Sequence, residues 1–226
     1  MSKPMHKSRR DIAKADKRRR IIEASRHLFS AHGFDETTVQ QIADSADVGV
    51  GTLFLYVTDK SELLLLVFHE AIEEELGRAA ANLSKGSGFL VSVGSFFTQL
   101  ISLYQRDLKL SRIYIREFLF HEGQVRAQLD EQNSRVIQLL QTRVVAAQQQ
   151  GEVREDVEAQ VVAIHMYALY HSTLSFYLAS CLPSQSPSEV LTTLLKSFWM
   201  GLNPPTKLPS KSKARSRPRS INARIR

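Results

Sequence analysis

Residues 38–57 read TVQQIADSADVGVGTLFLYV, and this stretch constrains the fold more than any other. Val39, Ile42, Ala43 and Ala46 recur at helical spacing and make one apolar face. Thr38 stands three residues before Gln41, the spacing of a capping box that satisfies the first free amides of a helix. Asp47-Val48-Gly49 interrupts the pattern, and a second short helix follows over VGTLFLYV. Two short helices around a three-residue turn with an apolar middle residue make a helix-turn-helix, although any small three-helix unit can share this spacing. Val48 then plugs the angle between the helices. Leu53, with Tyr56 or Val57, faces inward, which leaves Val50, Gly51, Thr52 and Leu55 outward.

The flanks extend this reading. Upstream, Ile21, Ala24 and Leu28, beside Ile22, Ser25 and Phe29, mark a helix that Gly33 can end in a left-handed conformation. Downstream of Lys60 the pattern stays helical: one long connecting helix, a short SKGSG hinge, then helices near 89–106, 107–121, 123–150 and 157–181, and a last one through Leu202. The chain therefore reads as all-α. A helix-turn-helix head over 17–62 sits on a larger antiparallel helical bundle over 63–203.

Charge is unevenly distributed. Residues 1–20 hold nine bases and two acids, residues 204–226 hold eight bases and no acid, and the segment between them carries a net −8. Residues 1–16 read as a basic disordered arm, and 204–226 as a basic disordered tail that cannot bury enough apolar surface to offset its ordering entropy. Two uncharged stretches, 88–105 and 161–182, approach the length of a membrane span. Their Ser, Thr, Gln and His would lack partners in lipid, so helices buried in a bundle or between subunits fit better, with no membrane involved. The single Cys181 excludes an internal disulfide framework and suits a reducing cytosol. The acidic run from His69 to Glu75 is not HExxH, and Glu117 with His121 finds no second Glu-x-x-His unit. It reads as a solvated face, with no metal and no cofactor implied.

The string Thr38-Val39, Ile42-Ala43, Ala46-Asp47-Val48-Gly49, Gly51-Thr52-Leu53-Phe54, Tyr56-Val57, Lys60 and Leu63 resembles the TetR-type (AcrR-like) transcriptional regulators. That resemblance implies a sequence-specific DNA-binding regulator rather than an enzyme, usually a repressor. It also implies a homodimer joined by the last two helices on a palindromic site in double-stranded DNA, and a small-molecule effector in the bundle. Asp47 and Gly49 depart from the family's Gly and Ser in the turn, Phe54 from a phosphate-bonding Tyr, and Val57 from a larger Phe.

Between Ile21 and Lys60 only Arg26 and Lys60 oppose six acids. Close approach must then come from the neutral recognition helix, and phosphate attraction from elsewhere. Gly49, Val50, Gly51, Thr52, Leu55 and Tyr56 are the candidate contacts on that helix, with Thr38 and Lys60 beside it. Lys17, Arg18, Arg19 and Arg20, with the arm before them, are the candidates to grip phosphates or enter the minor groove. In the bundle, Phe96, Phe97, Tyr104, Tyr114 and Phe118 are candidate pocket walls, with Arg112 and His165 as polar anchors. A helical-bundle enzyme and a protein-interaction adaptor are the competing readings.

Overall fold

The computed structural model describes residues 8–83, 88–182 and 185–202. The expectations for the SKGSG hinge, the first seven residues and the C-terminal tail fall largely outside that range. Among the described residues there are nine helices: α1 (Arg9–His32), α2 (Val39–Ser45), α3 (Val50–Leu53), α4 (Lys60–Leu83), α5 (Phe89–Gln105), α6 (Leu108–Phe120), α7 (Arg126–Gln149), α8 (Ala159–Leu178) and α9 (Pro187–Leu202).

Helix α1 begins well before the expected start at Lys17. Ser8 caps it through a capping box with Asp11, so residues 9–16, read as disordered arm, are helical. These residues carry no apolar face, and apolar periodicity is the main signal that marks a helix in sequence. A helix start with reciprocal side-chain caps needs no core beneath it. At the other end Gly33, at φ 83°, turns the chain out of α1. Thr38 and Gln41 form the expected capping box on α2.

The head core gathers Ile21, Phe29, Ile42, Ala43, Leu53 and Val57 against the start of α4, all essentially inaccessible to solvent. No loop separates head from bundle, because α4 starts at Lys60 and runs from one into the other. Above the head, α4 packs along α5 and α7 along α8, while α9 closes against α5 and α8. The uncharged α5 is buried along much of its length, including Phe96, Phe97, Leu100 and Tyr104. Glu152, from the turn after α7, accepts the Phe89 amide at 2.6 Å and so caps α5 from outside it. Among the described residues no helix is long and apolar enough to cross a membrane.

Candidate nucleic-acid interface and effector cavity

The turn between α2 and α3 takes its shape from α1. Asp47 adopts φ 50°, a left-handed conformation that side-chain-bearing residues seldom take. Glycine would do so freely, which explains the physical sense of Gly in the family pattern. Here Arg20 offsets the strain: its guanidinium donates to the Ala46 carbonyl at 2.7 Å, the Asp47 carbonyl at 3.2 Å and the Asp47 carboxylate at 3.3 Å. Gly49 then caps α3 without any side-chain bond.

Helix α3 is shorter than the sequence suggested. Regular α geometry ends at Leu53, and the Leu55 and Tyr56 amides bond three residues back, in a tightened turn. Leu53 and Val57 point inward, both fully buried. Leu55 is 75% exposed, the Gly51 position is open with nothing near its absent side chain, and Thr52 is half-buried. Val50 is half-buried against the core rather than fully outward. Phe54 adds 42% exposure beside Leu55. Tyr56 faces neither way cleanly: its hydroxyl donates to the Lys14 carbonyl of α1 at 3.2 Å.

Several expected phosphate grips are engaged within the protein. Arg18 pairs with Glu70 of α4 at 2.5 Å and donates to Gln128 of α7 at 2.9 Å, which ties α1 to the bundle. Arg20 staples the turn. Arg19 is largely exposed but bonds Asp16 and Glu23 of its own helix. The Arg19 bond, ahead of burial, holds the Asp16 carboxyl below the ordinary carboxylate range. Lys60 donates to three carbonyls, Phe34 at 2.8 Å, Thr37 at 3.0 Å and Asp35 at 3.2 Å, and lies over the Phe34 ring. It closes the α1–α2 connection from behind rather than facing solvent. Thr38 is exposed but serves its own cap. Of the four expected grips, Lys17 alone takes part in no ion pair or side-chain hydrogen bond among the described residues, and it is exposed.

Where head meets bundle, the structure reveals a site that the sequence concealed. Glu62, in the first turn of α4, is fully buried. Its carboxylate accepts from the Thr58 amide at 2.5 Å, the Val125 amide at 3.0 Å and the His121 ring at 2.8 Å. Burial pushes its pKa up, but these bonds prevail and leave it below the ordinary value. Gly123 leaves the space: a Cβ there would lie 2.1 Å from the Glu62 carboxylate and 2.6 Å from the His121 ring. An acid just inside a helix start reads in sequence as an ordinary dipole partner. Its partners some 60 residues away carry no sequence signal.

The acidic stretch of α4 is not the solvated face expected. Glu70 pairs with Arg18 and Glu73 with Arg135, while Glu75 is buried and holds Arg106 at 2.6 Å. Among the described residues no group of three or more His, Cys, Asp or Glu is placed to hold a metal ion.

In the bundle, an aromatic cluster spans α4, α5, α6 and α8. Phe68 stacks on Tyr114 with centroids 4.3 Å apart, and Phe97 on Tyr170 at 4.9 Å. Tyr104, Tyr114 and Phe118 line a cavity with Tyr167, Tyr170 and His171. Phe96 and Phe97 pack behind it. Arg112 lies outside, donating to the Leu178 carbonyl at 2.8 Å and so capping the end of α8, and His165 is exposed against Phe198. Spacing could not separate these cases, because it does not say which helix faces which. The polar lining comes instead from Asn133, which accepts the Tyr167 hydroxyl at 2.5 Å, from Gln132 and from His171. Burial drives the His171 ring down to about 4, and raises the Tyr104 hydroxyl to about 12. The cavity measures about 20 Å³, room for about one water. A larger open groove of about 460 Å³ runs between α4 and α7, beside the Arg135–Glu73 pair.

Residues 21–67 match the family described as bacterial regulatory proteins, tetR family. Over 119 residues the chain is 29% identical to the HTH-type transcriptional repressor KstR of Rhodococcus jostii, covering 53% of this chain and 55% of the relative. Against KstR of Mycobacterium tuberculosis it is 26% identical over 148 residues, 64% of each chain. The match thus spans between half and two thirds of the length of these relatives. In three dimensions the chain resembles Thermus thermophilus FadR, a TetR-family repressor in complex with lauroyl-CoA. Their TM-score is 0.68 at 24% identity, over 87% of this chain and 98% of that one. It also resembles FadR of Bacillus subtilis in complex with stearoyl-CoA, with TM-score 0.65 at 18% identity over 82% of this chain and all of that one.

Proposed function

We propose that the chain is a TetR-type repressor that binds a palindromic DNA site as a homodimer and is released by a small-molecule effector, a reading supported by the match of residues 21–67. The observation that carries the reading is the outer face of α3 and its turn. Gly51 is open and Leu55 is 75% exposed, on a rigid support built by Arg20 and Lys60. Such a face can lie close to the major groove, with Leu55 against thymine methyls and Thr52 donating to base or phosphate.

The dimer surface is the outer side of α8 and α9. Val161, Ile164, Ala168, Ser172 and Phe176 recur along α8 at helical spacing, exposed and uncharged, and Met200 on α9 is 73% exposed. An uncharged apolar stripe of this kind marks an interface, and two-fold pairing through it would present two α3 elements to two half-sites. The protein then works in the cytoplasm, on DNA.

The effector site is the aromatic cluster around Tyr104, Tyr114 and Phe118. Acyl-CoA is the favoured class, because the FadR relatives are described in complex with lauroyl-CoA and stearoyl-CoA. Entry requires the rings to swing aside, since the present cavity holds about one water. Their displacement would shift α4 and α6 and, through Glu62 and His121, the head.

Selection of duplexes from a random pool by the full chain tests the reading. A palindromic consensus is expected, with Leu55→Ala lowering the preference for it over random duplex about tenfold. Release by lauroyl-CoA is then scored on that duplex. Recovery of no consensus would refute sequence-specific binding.

A further inference from the structure

Resting on the DNA-binding reading above, we propose that the N-terminal turns of α1 form a preorganised phosphate-binding ridge, in which Arg10, Lys14 and Lys17 grip the backbone of the duplex flanking the recognition helix. Helix α1 starts at Arg9, some 12 residues ahead of its first buried side chain, Ile21. Those turns have no core beneath them, yet they are anchored. Ser8 and Asp11 cap the start, Arg19 and Arg20 bond Asp16 within the helix, and Arg18 ties it to Glu70 and Gln128.

The anchoring divides the bases into two sets. Arg18, Arg19 and Arg20 are engaged with acids or carbonyls. Arg10, Lys14 and Lys17 are exposed and take part in no ion pair or side-chain bond among the described residues. Positions 10, 14 and 17 continue the stripe that carries Ile21, Ala24 and Leu28. Where α1 lies on the head that stripe is apolar and mostly buried, and where α1 runs past the head it becomes basic. The three bases share one face and span about 10 Å of helix axis, against one phosphate per roughly 3.4 Å of axis on a DNA strand.

Position links the ridge to recognition. The Tyr56 hydroxyl, at the end of the turn that follows α3, bonds the Lys14 carbonyl at 3.2 Å, so the ridge and the exposed Leu55 sit beside each other on one support. The occupant that fits a row of unpaired cations next to a neutral recognition face is the polyanionic backbone of the same duplex. The rest of the head supplies little attraction, since Arg18, Arg19, Arg20 and Lys60 are engaged within the protein and the chain is acidic from residue 21 to 60. A helix holds the cations in register without ordering cost at binding, which a disordered arm could not do.

Binding of the full chain to a 30-base-pair random-sequence duplex, followed across a salt titration, tests the ridge. The triple variant Arg10→Gln, Lys14→Gln, Lys17→Gln should lower the slope of log affinity against log salt by two to three per protomer, at about 0.9 per phosphate contact. Its preference for the selected duplex over random duplex should persist. Ala13→Pro, which breaks the helix with every charge retained, should weaken binding about tenfold or more. An unchanged slope in the triple variant, or a slope that collapses only on deletion of residues 204–226, would overturn the ridge. So would full affinity in Ala13→Pro. Failure of the parent chain to bind any duplex would instead overturn DNA binding itself, and the ridge with it.

Discussion

Replacing Gly123 with alanine should loosen the joint between head and bundle. Gly123 is not at positive φ, so a Cβ brings no backbone strain of its own, and the whole effect comes from contact. That Cβ would lie 2.1 Å from a carboxylate oxygen of Glu62 and 2.6 Å from the His121 ring nitrogen. An ordinary contact needs about 3.5 Å, so the carboxylate must withdraw by more than about 1 Å. Withdrawal stretches the bonds from Val125, now 3.0 Å, and from His121, now 2.8 Å. Charge-assisted bonds contribute about 1.5–3 kcal/mol each, and the fully buried Glu62 has no solvent contact to replace them. A loss of about 3–5 kcal/mol follows, or a melting temperature lower by about 10 °C for a chain of this length. Thermal and urea unfolding at one fixed protein concentration would measure it. The decisive comparison is a double-mutant cycle with Glu62→Ala. With the carboxylate already gone, Gly123→Ala should cost less than about 1 kcal/mol more, because the His121 ring is then free to swing away. Strict additivity, or a single-variant loss below about 1 kcal/mol, would refute this account of the joint.

Two further outcomes follow from the same geometry. His171 is neutral in the fold, at about 4 against an ordinary 6.5, so its contribution is complete above about pH 6.5 and disappears as pH falls through 4. His171→Phe, which keeps a ring against Phe118 and Tyr167, should remove up to about 3 kcal/mol of the stability change between pH 7 and 4 in urea titrations. Lys60→Met should cost about 2–3 kcal/mol through three orphaned carbonyls, while the salt dependence of DNA binding stays at the parent value. A lower salt slope would return Lys60 to the phosphates.

Much of the recognition element was legible because its signals are local. Thr38 and Gln41 cap within one turn, and Leu53 and Val57 alternate with Gly51 and Leu55 by helical period alone. The charge imbalance between the ends and the body was likewise a matter of counting. What spacing could not supply was the destination of a long side chain. Arg18, Arg20 and Lys60 look in sequence like free cations, and only the packing of α1 against α2, α4 and α7 directs them to Glu70, to the turn carbonyls and to the Phe34–Thr37 connection. Arg112 and His165 were misplaced for the same reason.

Sequence by itself determined the all-α class, the helix-turn-helix and the neutral character of its outer face, because helical period, caps and turns are properties of neighbours along the chain. Tertiary structure decided which cations remain unpaired, that a buried Glu62 fastens head to bundle, and how little room the aromatic cluster leaves. Those depend on contacts between residues tens of positions apart, where hydrogen-bond reach and burial, rather than order in the chain, select the partner.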